Sequence, residues 1–579
     1  MNRKDEYFMK KTILQTEFCV IGGGLAGLTA AITAARRGVK TVLIHDRPVL
    51  GGNASSEIRM WICGSREFME TGFVEELRLE NFAVNPRANY SVWDTVLYGK
   101  AIAEPNLTLL LNASCLDARM DGERIAAVEA WQLTTYTRFE VQADYFADCS
   151  GDSILAEFTG AEYRVGHEAR SEFNESIAPE KADRQTMGMS CLIQVRETDK
   201  PQKFTPPAWA NKYLSDDDLP CRNHVLDEWQ NFWWMELGGE DDSIRDTEKL
   251  RDELLKIALG VWDHIKNHGE HNAENWTLDW IGFLPGKRES RRYVGDYMLK
   301  QHDVESGGRF DDVVAYGGWT MDDHHPAGFR YRGEPTIFHP APCDFGIPYR
   351  SLYSANIGNL WFAGRNISVT HVALSSTRVM ATCACMGEAV GIAASIAVRE
   401  KLSPRQVGQH ITELQQELLW QDCYLPKFKL AASAVSARAE LVASSGDASL
   451  LNSEYIRGEN GCWAAQNGDW AEYRFEEPEM ISEISIVFDS NVNERIKSRA
   501  RMNMMANIPL KCTPFAPPET IICSFRVTAT DENGKEITLM ETKDNHQRLV
   551  RIPLGQKYRN VRLTVLDGKP KKVVSFRIR

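Results

Sequence analysis

No run of about 18 apolar residues occurs in this 579-residue sequence, so by that criterion no helix is expected to cross a bilayer. The N-terminal stretch MNRKDEYFMKKTILQTEF carries basic residues but lacks the apolar segment of about 7 to 15 residues that a secretory signal requires, and the cytoplasm is the expected address. Positive charge is in deficit. Lys and Arg number 67 against 80 Asp and Glu, a formal net charge of -13, so neither a nucleic acid nor a membrane is an expected partner. The 13 cysteines are odd in number and irregularly spaced, which argues for reduced thiols rather than a disulfide framework. Repeats and low-complexity tracts are missing, and so is a G-x-S-x-G elbow, which removes that route to a serine nucleophile. What remains is an ordinary globular chain, 43% hydrophobic and 25% charged, long enough for about three or four domains.

The strongest local pattern comes early. Glu17 to Ile21 reads as a buried strand, Gly22 to Gly27 as a glycine turn, Leu28 to Arg37 as an alanine-rich helix and Lys40 to Ile44 as a second strand. The turn spells Gly22-x-Gly24-x-x-Gly27. In such a unit the first glycine permits the tight turn, the second lets a pyrophosphate approach the backbone, and the third allows close helix packing, while the helix N-terminus stabilises the anion. An acidic residue about 20 positions on normally holds the adenosine ribose. That register falls on His45, with Asp46 next, and the ribose partner is open between the two.

Further strand-like runs cover Leu107 to Asn112, Ile125 to Gln132 and Thr137 to Ala147, with a turn at Met120-Asp121-Gly122. Leu360 to Ala363 reads as another strand, followed by a long small-residue helix from about Ser376 to Arg399. The stretch 186–345 breaks the α/β rhythm and holds eight of the fifteen Trp, from Trp209 to Trp319. Core packing is one use of such aromatics, a substrate surface another. Beyond about residue 432 short alternating strands recur at Ile481 to Phe488, Thr520 to Ala529, Glu536 to Glu541, Gln547 to Leu554, Asn560 to Leu566 and Lys571 to Ile578, a β-sandwich pattern.

A second glycine pair stands in Arg47-Pro48-Val49-Leu50-Gly51-Gly52-Asn53-Ala54-Ser55-Ser56, and three later segments accompany it: Ala147 to Asp152 (ADCSGD), Leu360 to Arg365 (LWFAGR) and Ser375 to Met380 (SSTRVM). On these the chain resembles FAD-dependent oxidoreductases of the glutathione-reductase superfamily. Gly51 to Arg59 and Thr370 to Met380 are similar to strings of a broad FAD-dependent family grouped with heterodisulfide-reductase-like flavoproteins. The resemblance implies an α/β fold, with a Rossmann-type FAD-binding domain in two parts (12–185 and 346–425), an inserted substrate domain (186–345) and a C-terminal β-sandwich (432–579). It implies non-covalent FAD, held by Gly22, Gly24, Gly27, His45, Asp46, Gly51, Gly52, Asn53, Arg59, Cys115, Asp148, Gly151, Asp152, Gly364, Arg365, Ser376 and Thr377. The long helix opened by Ser375 to Met380 would face the isoalloxazine. The C-terminal segment, with Gly468 to Phe475 (GDWAEYRF), resembles discoidin or galactose-binding-like jelly rolls, which serve either as glycan binders or as packing modules.

No second strand-linked G-x-G-x-x-G follows residue 27, so a separate nicotinamide domain is not expected. The only close cysteine pair, Cys383-x-Cys385, lacks the spacing of an iron–sulfur site. His264, His268 and His271 fall at i, i+4 and i+7 of a helical pattern, yet Gly269 interrupts it and no metal site is expected there. Hydride chemistry belongs to the flavin, and the protein supplies a proton acceptor or donor. In Asp322-Asp323-His324-His325-Pro326, His324 and His325 are the first candidates for that role, and His371 the next. Arg59, Arg291, Arg292, Arg350 and Arg378 are candidates to hold an anionic substrate or the reduced flavin's charge; Arg378 and Arg59 are favoured on the flavin side, whereas Arg291-Arg292 reads more readily as a solvated or ion-paired feature. The expected reaction oxidises a secondary alcohol of a carbohydrate or polyol, with an electron acceptor that the sequence does not specify. A fumarate-reductase-like C=C reductase, and a glycan-binding protein with a silent FAD fold, are the alternatives; self-association is left open.

Overall fold

The computed structural model describes residues 10–65, 70–226, 230–454, 461–492 and 513–579. The first nine residues, part of the N-terminal stretch considered for a signal, and Trp229, one of the clustered tryptophans, lie outside that set. The chain divides into two compact units near Leu414, and the helix Phe73–Val84 groups with the C-terminal one. The inserted stretch forms no unit of its own but belongs with the nucleotide fold.

In the first unit, β1 (Lys10–Ile21) starts exposed and ends in the buried run Phe18 to Ile21. The helix α1 (Leu25–Arg36) follows, its alanines buried, and leads to β2 (Thr41–Ile44), which pairs parallel with β1. Beyond β2 lies β3 (Leu107–Leu110), also parallel. Then β4 (Ala113–Asp121), β5 (Arg124–Gln132) and β6 (Thr137–Asp148) form an antiparallel meander whose last strand runs parallel to β1. The order is β3-β2-β1-β6-β5-β4. Strand β4 was not foreseen, because its exposed polar residues Asp117, Asp121 and half-exposed Arg119 mask the alternation.

The inserted stretch is built around α2 (Thr247–Asn267), whose buried Leu250, Leu254, Ile257, Val261 and Ile265 recur at helical spacing. Trp234 and Trp262 join them in one apolar cluster. The tryptophans therefore divide between core and cavity, since Trp233 and Trp319 line the cavity described below while Trp209 is exposed.

The chain returns to the sheet with β7 (Leu360–Phe362), parallel to the end of β6. Where one long helix was expected there are two, α3 (His371–Thr377) and α4 (Met380–Glu400). Between them Val379 takes an extended conformation, φ -68 and ψ 143, and starts α4 anew. Helix α4 also corrects the expectation of no spanning-length apolar helix: it is long and apolar enough by composition, with a mean hydropathy of 1.6, but 89% of that window is buried within the protein, packed on α1.

The C-terminal unit is an antiparallel seven-stranded assembly. The runs expected at Gln547 to Leu554 and Asn560 to Leu566 are one strand, Leu549–Val565, paired along Trp470–Phe488. Register shifts at Ile481/Glu483 let these long strands bend rather than end. Inside, the Arg548 guanidinium grips Asp422 with Nε to Oδ2 at 2.6 Å and Nη2 to Oδ1 at 3.1 Å, both residues buried.

Candidate active site

A cavity of about 970 Å³ opens where Ile21, Ile44 and Cys149 end or follow β1, β2 and β6. The glycine turn forms one wall. Gly22 has φ +101, and a Cβ there would lie 2.5 Å from the Cys149 backbone, so the turn requires glycine. Gly24 differs: the nearest atom to a Cβ would be Gly52 Cα at 3.9 Å, which leaves its cavity side open to a ligand. Gly24 caps α1 without any side-chain hydrogen bond to the first turn, and no acidic residue neutralises that end. Unpartnered amide groups, a helix N-terminus and glycines without side chains suit a pyrophosphate.

His45 and Asp46 separate clearly. His45 Nδ1 accepts from the Gly23 N–H at 3.0 Å, so Nε2 carries the proton and donates to Val49 O at 3.0 Å. Both nitrogens serve the turn. Burial, reinforced by Arg47, lowers the His45 pKa to about 4, so the ring is neutral near pH 7. Asp46 lines the same cavity with its side chain 64% exposed, and it is the one able to accept ribose hydroxyl bonds.

Gly51, Gly52, Asn53, Cys115, Gly151, Asp152, Gly364 and Arg365 also line the cavity. Burial pushes the Cys115 thiol up to about 12. Burial would raise Asp152 too, but Arg365, at 2.7 Å, and Lys287, at 2.8 Å, outweigh it and hold the carboxylate ionised. These residues fit a bound FAD: a glycine cradle open to a phosphate, an acid beyond β2 and a fixed charged pair, Asp152 with Arg365, on the cavity lining.

Five of the residues expected to bind the cofactor do not line this cavity. Gly27 faces the turn, where a Cβ would collide with the Gly22 carbonyl, so its role is packing. Arg59 donates to Gln194 Oε1 at 2.7 Å and stacks against Trp280 and Tyr90. Asp148 is fully buried, accepting from Ser150, Leu155 and Tyr293, and organises the turn after β6. Ser376 and Thr377 end α3 instead of opening α4, with Ser376 Oγ donating to Trp319 O at 2.6 Å. The helix start on the cavity belongs to Val379 and Met380.

The far wall carries the polar chemistry. His324, 3% exposed, has Nδ1 2.6 Å from Glu236 Oε2 and Nε2 3.3 Å from Asp322 Oδ2. Arg288 lies 3.3 Å from Glu236, and Arg378 Nη2 lies 3.2 Å from Asp322 Oδ2. Arg288, Asp322, His324 and Arg378 all line the cavity. Burial would raise Glu236, but Arg288 and His324 bring it down to about 2. Asp322 is held below the usual carboxylate range in the same way, burial being outweighed by His324 and Arg378. Each arginine thus has a carboxylate of its own. Trp61, Trp233 and Trp319 complete the wall, and the buried indole N–H groups of Trp61 and Trp319 have no acceptor among the described residues.

The other histidines are placed differently. His325 stacks on Tyr331 with centroids 3.7 Å apart and accepts the Ala327 N–H, a turn residue away from the cavity. His371 is buried, paired with Glu289 at 2.8 Å and Asp323 at 3.3 Å. Although burial opposes it, Glu289 and Asp323 raise its pKa to about 10, so it stands protonated and cannot act as a base at neutral pH. Arg292 belongs to the same buried network through Glu168 and Glu289, and Arg291 pairs with Glu157, so both are ion-paired but neither is a solvated surface residue. Arg350 pairs with Asp312. Glu236 and Arg288 escaped the sequence reading because no local motif marks them; only their buried charges, seen together, identify them.

The family model described as "FAD dependent oxidoreductase" matches residues 17–418. No curated protein matches the chain. Among solved structures, a geranylgeranyl bacteriochlorophyll reductase-like protein from Thermoplasma acidophilum is similar at 12% identity and TM-score 0.33, covering 71% of this chain and 86% of its own. A family 32 carbohydrate-binding module from Streptococcus pneumoniae EndoD aligns at 11% identity and TM-score 0.18, over 24% of this chain and 94% of its own. The family 32 module of Clostridium perfringens NanJ, solved with galactose, aligns at 10% identity and TM-score 0.18, over 25% and 94%.

Proposed function

Because the chain belongs to the FAD dependent oxidoreductase family, we propose that its substrate is a neutral hydroxyl compound, a carbohydrate or polyol oxidised at a secondary alcohol, with His324 as the base. The single observation that carries this reading is His324 on the cavity wall, oriented by Glu236 at 2.6 Å and loosely faced by Asp322 at 3.3 Å. FAD, when bound, supplies the hydride acceptor. With Glu236 on Nδ1, the hydroxyl proton would pass to Nε2 of His324 in its uncharged form, and Glu236 and Asp322 then stabilise the imidazolium. Trp61 and Trp319 offer indole donors to hydroxyl oxygens, and the Trp faces give apolar area to a sugar ring.

A C=C reductase acting on an unsaturated acid needs free cationic groups for the carboxylate. Arg288 and Arg378 are each already matched by Glu236 and Asp322, which favours a neutral substrate. The test is anaerobic mixing of the FAD-loaded enzyme with a panel of polyols and sugars, beside His324→Asn. Bleaching of the flavin by a polyol in the wild type, lost in the variant, supports the reading. Reoxidation of the reduced enzyme by an unsaturated acid, with no bleaching by any polyol, would replace it with the reductase.

A further inference from the structure

Away from the cavity, three imidazoles and one carboxylate converge on a single point. Asp216 Oδ1 lies 3.1 Å from His264 Nε2, 3.5 Å from His271 Nε2 and 3.6 Å from His224 Nε2, and the two nitrogens of His264 and His271 are 3.1 Å apart. All four ligand atoms fall within 4.8 Å of one another. Zinc binds imidazole nitrogen and carboxylate oxygen at about 2.0 to 2.2 Å in a tetrahedron, whose edges are then about 3.3 to 3.6 Å. The four measured separations bracket that value. We propose that Asp216, His224, His264 and His271 form a structural zinc site.

The surroundings of the rings agree with this assignment. His264, fully buried, has Nδ1 3.1 Å from the Tyr213 carbonyl, and His224 has Nδ1 2.8 Å from the Arg222 carbonyl. A carbonyl only accepts, so each Nδ1 carries its hydrogen and Nε2 is the nitrogen left to offer a lone pair toward the common point. Backbone carbonyls on the far nitrogen are the usual way a metal-binding histidine is oriented. Without a cation, these lone pairs would face one another and a carboxylate oxygen. His268, the middle member of the sequence pattern, takes no part; it ends α2 and lies 3.4 Å from Asp263.

Four protein ligands leave no open position, so the role is structural rather than catalytic. The ligands come from the turn at Asp216–Asp218, the strand-free stretch at His224, the last turns of α2 and the segment after it. An ion there would fasten the loop before His224 to α2, in a region whose β-structure consists of short two- and three-stranded pieces.

The experiment uses the full-length, untagged, FAD-loaded protein, purified without chelator, given one equivalent of zinc and gel-filtered before elemental analysis. About one zinc per chain is expected, falling at least tenfold in the double variant His224→Ala/His271→Ala while the flavin spectrum persists. Zinc absorption spectroscopy of the wild type covers the case in which that variant does not fold: three imidazole nitrogens and one oxygen at about 2.0 to 2.2 Å are expected. A wild type that retains no zinc, a folded double variant that retains as much as the wild type, or a coordination shell of sulfur or of six oxygens would overturn the proposal.

Discussion

Replacing His324 by Asn removes the base while keeping a small polar side chain against Glu236. The partner carboxylate is not stranded, because Arg288 stays 3.3 Å from it, and Asp322 keeps Arg378 and the Thr336 hydroxyl at 2.6 Å. The fold and the glycine cradle should therefore survive, and FAD should bind as before. A positioned general base contributes about 10²- to 10⁴-fold, equivalent to roughly 3 to 5 kcal/mol of transition-state stabilisation. Stopped-flow measurement of flavin bleaching by a saturating polyol should show the reductive half-reaction slowed by that factor, with substrate affinity changed far less. A variant that retains FAD and reduces it at the wild-type rate would refute the assignment of His324.

Gly24→Leu should abolish FAD binding while leaving the apo fold intact to within about 0.5 kcal/mol, since the side chain points into open cavity; the visible spectrum and the thermal midpoint read the two separately. The neutral His45 gives a pH dependence of known sign. Its folded pKa, about 4, lies below the unfolded value of about 6.5, so its contribution is complete above pH 6.5 and is lost as the pH falls toward 4, about 3 kcal/mol in all. Denaturant titrations between these limits should show that loss, and His45→Gln should flatten the profile. Arg548→Met removes the two-pronged guanidinium contact from the buried Asp422 carboxylate and should destabilise the C-terminal unit by about 3 to 5 kcal/mol, whereas Asp422→Leu/Arg548→Met should recover much of it; urea unfolding of the three proteins checks this.

The glycine fingerprint, β1 to β2 and the alternating C-terminal strands were legible because their signals are local. Gly24 lies in the turn that the fingerprint marks, whereas the ribose register falls on His45, whose two nitrogens serve that turn, and the exposed acid on the cavity is Asp46 next to it. His324 could be nominated from the Asp322 to Pro326 run, yet nothing in that run distinguishes it from His325; the structure does so by turning one ring toward Glu236, 88 residues away, and the other onto Tyr331. His371 illustrates the converse, a plausible base beside a glycine motif that buried Glu289 and Asp323 keep protonated. The histidine cluster was half visible, since His264 and His271 share a segment, while Asp216 and His224 reach them only through the folded loop. Asp148 misled for a simple reason: a conspicuous acid in a glycine-rich turn looks like a ligand-binding group until its hydrogen bonds are all found to be internal.

Oxidation of a neutral hydroxyl compound at this cavity is tested most directly by the anaerobic visible spectrum of the FAD-loaded protein before and after addition of sugars and polyols. The flavin bands are predicted to bleach with a neutral hydroxyl substrate, and to do so far more slowly in His324→Asn. A protein that takes up no FAD, or one whose bands stay unchanged with every polyol and reoxidise only with an unsaturated acid, would contradict it.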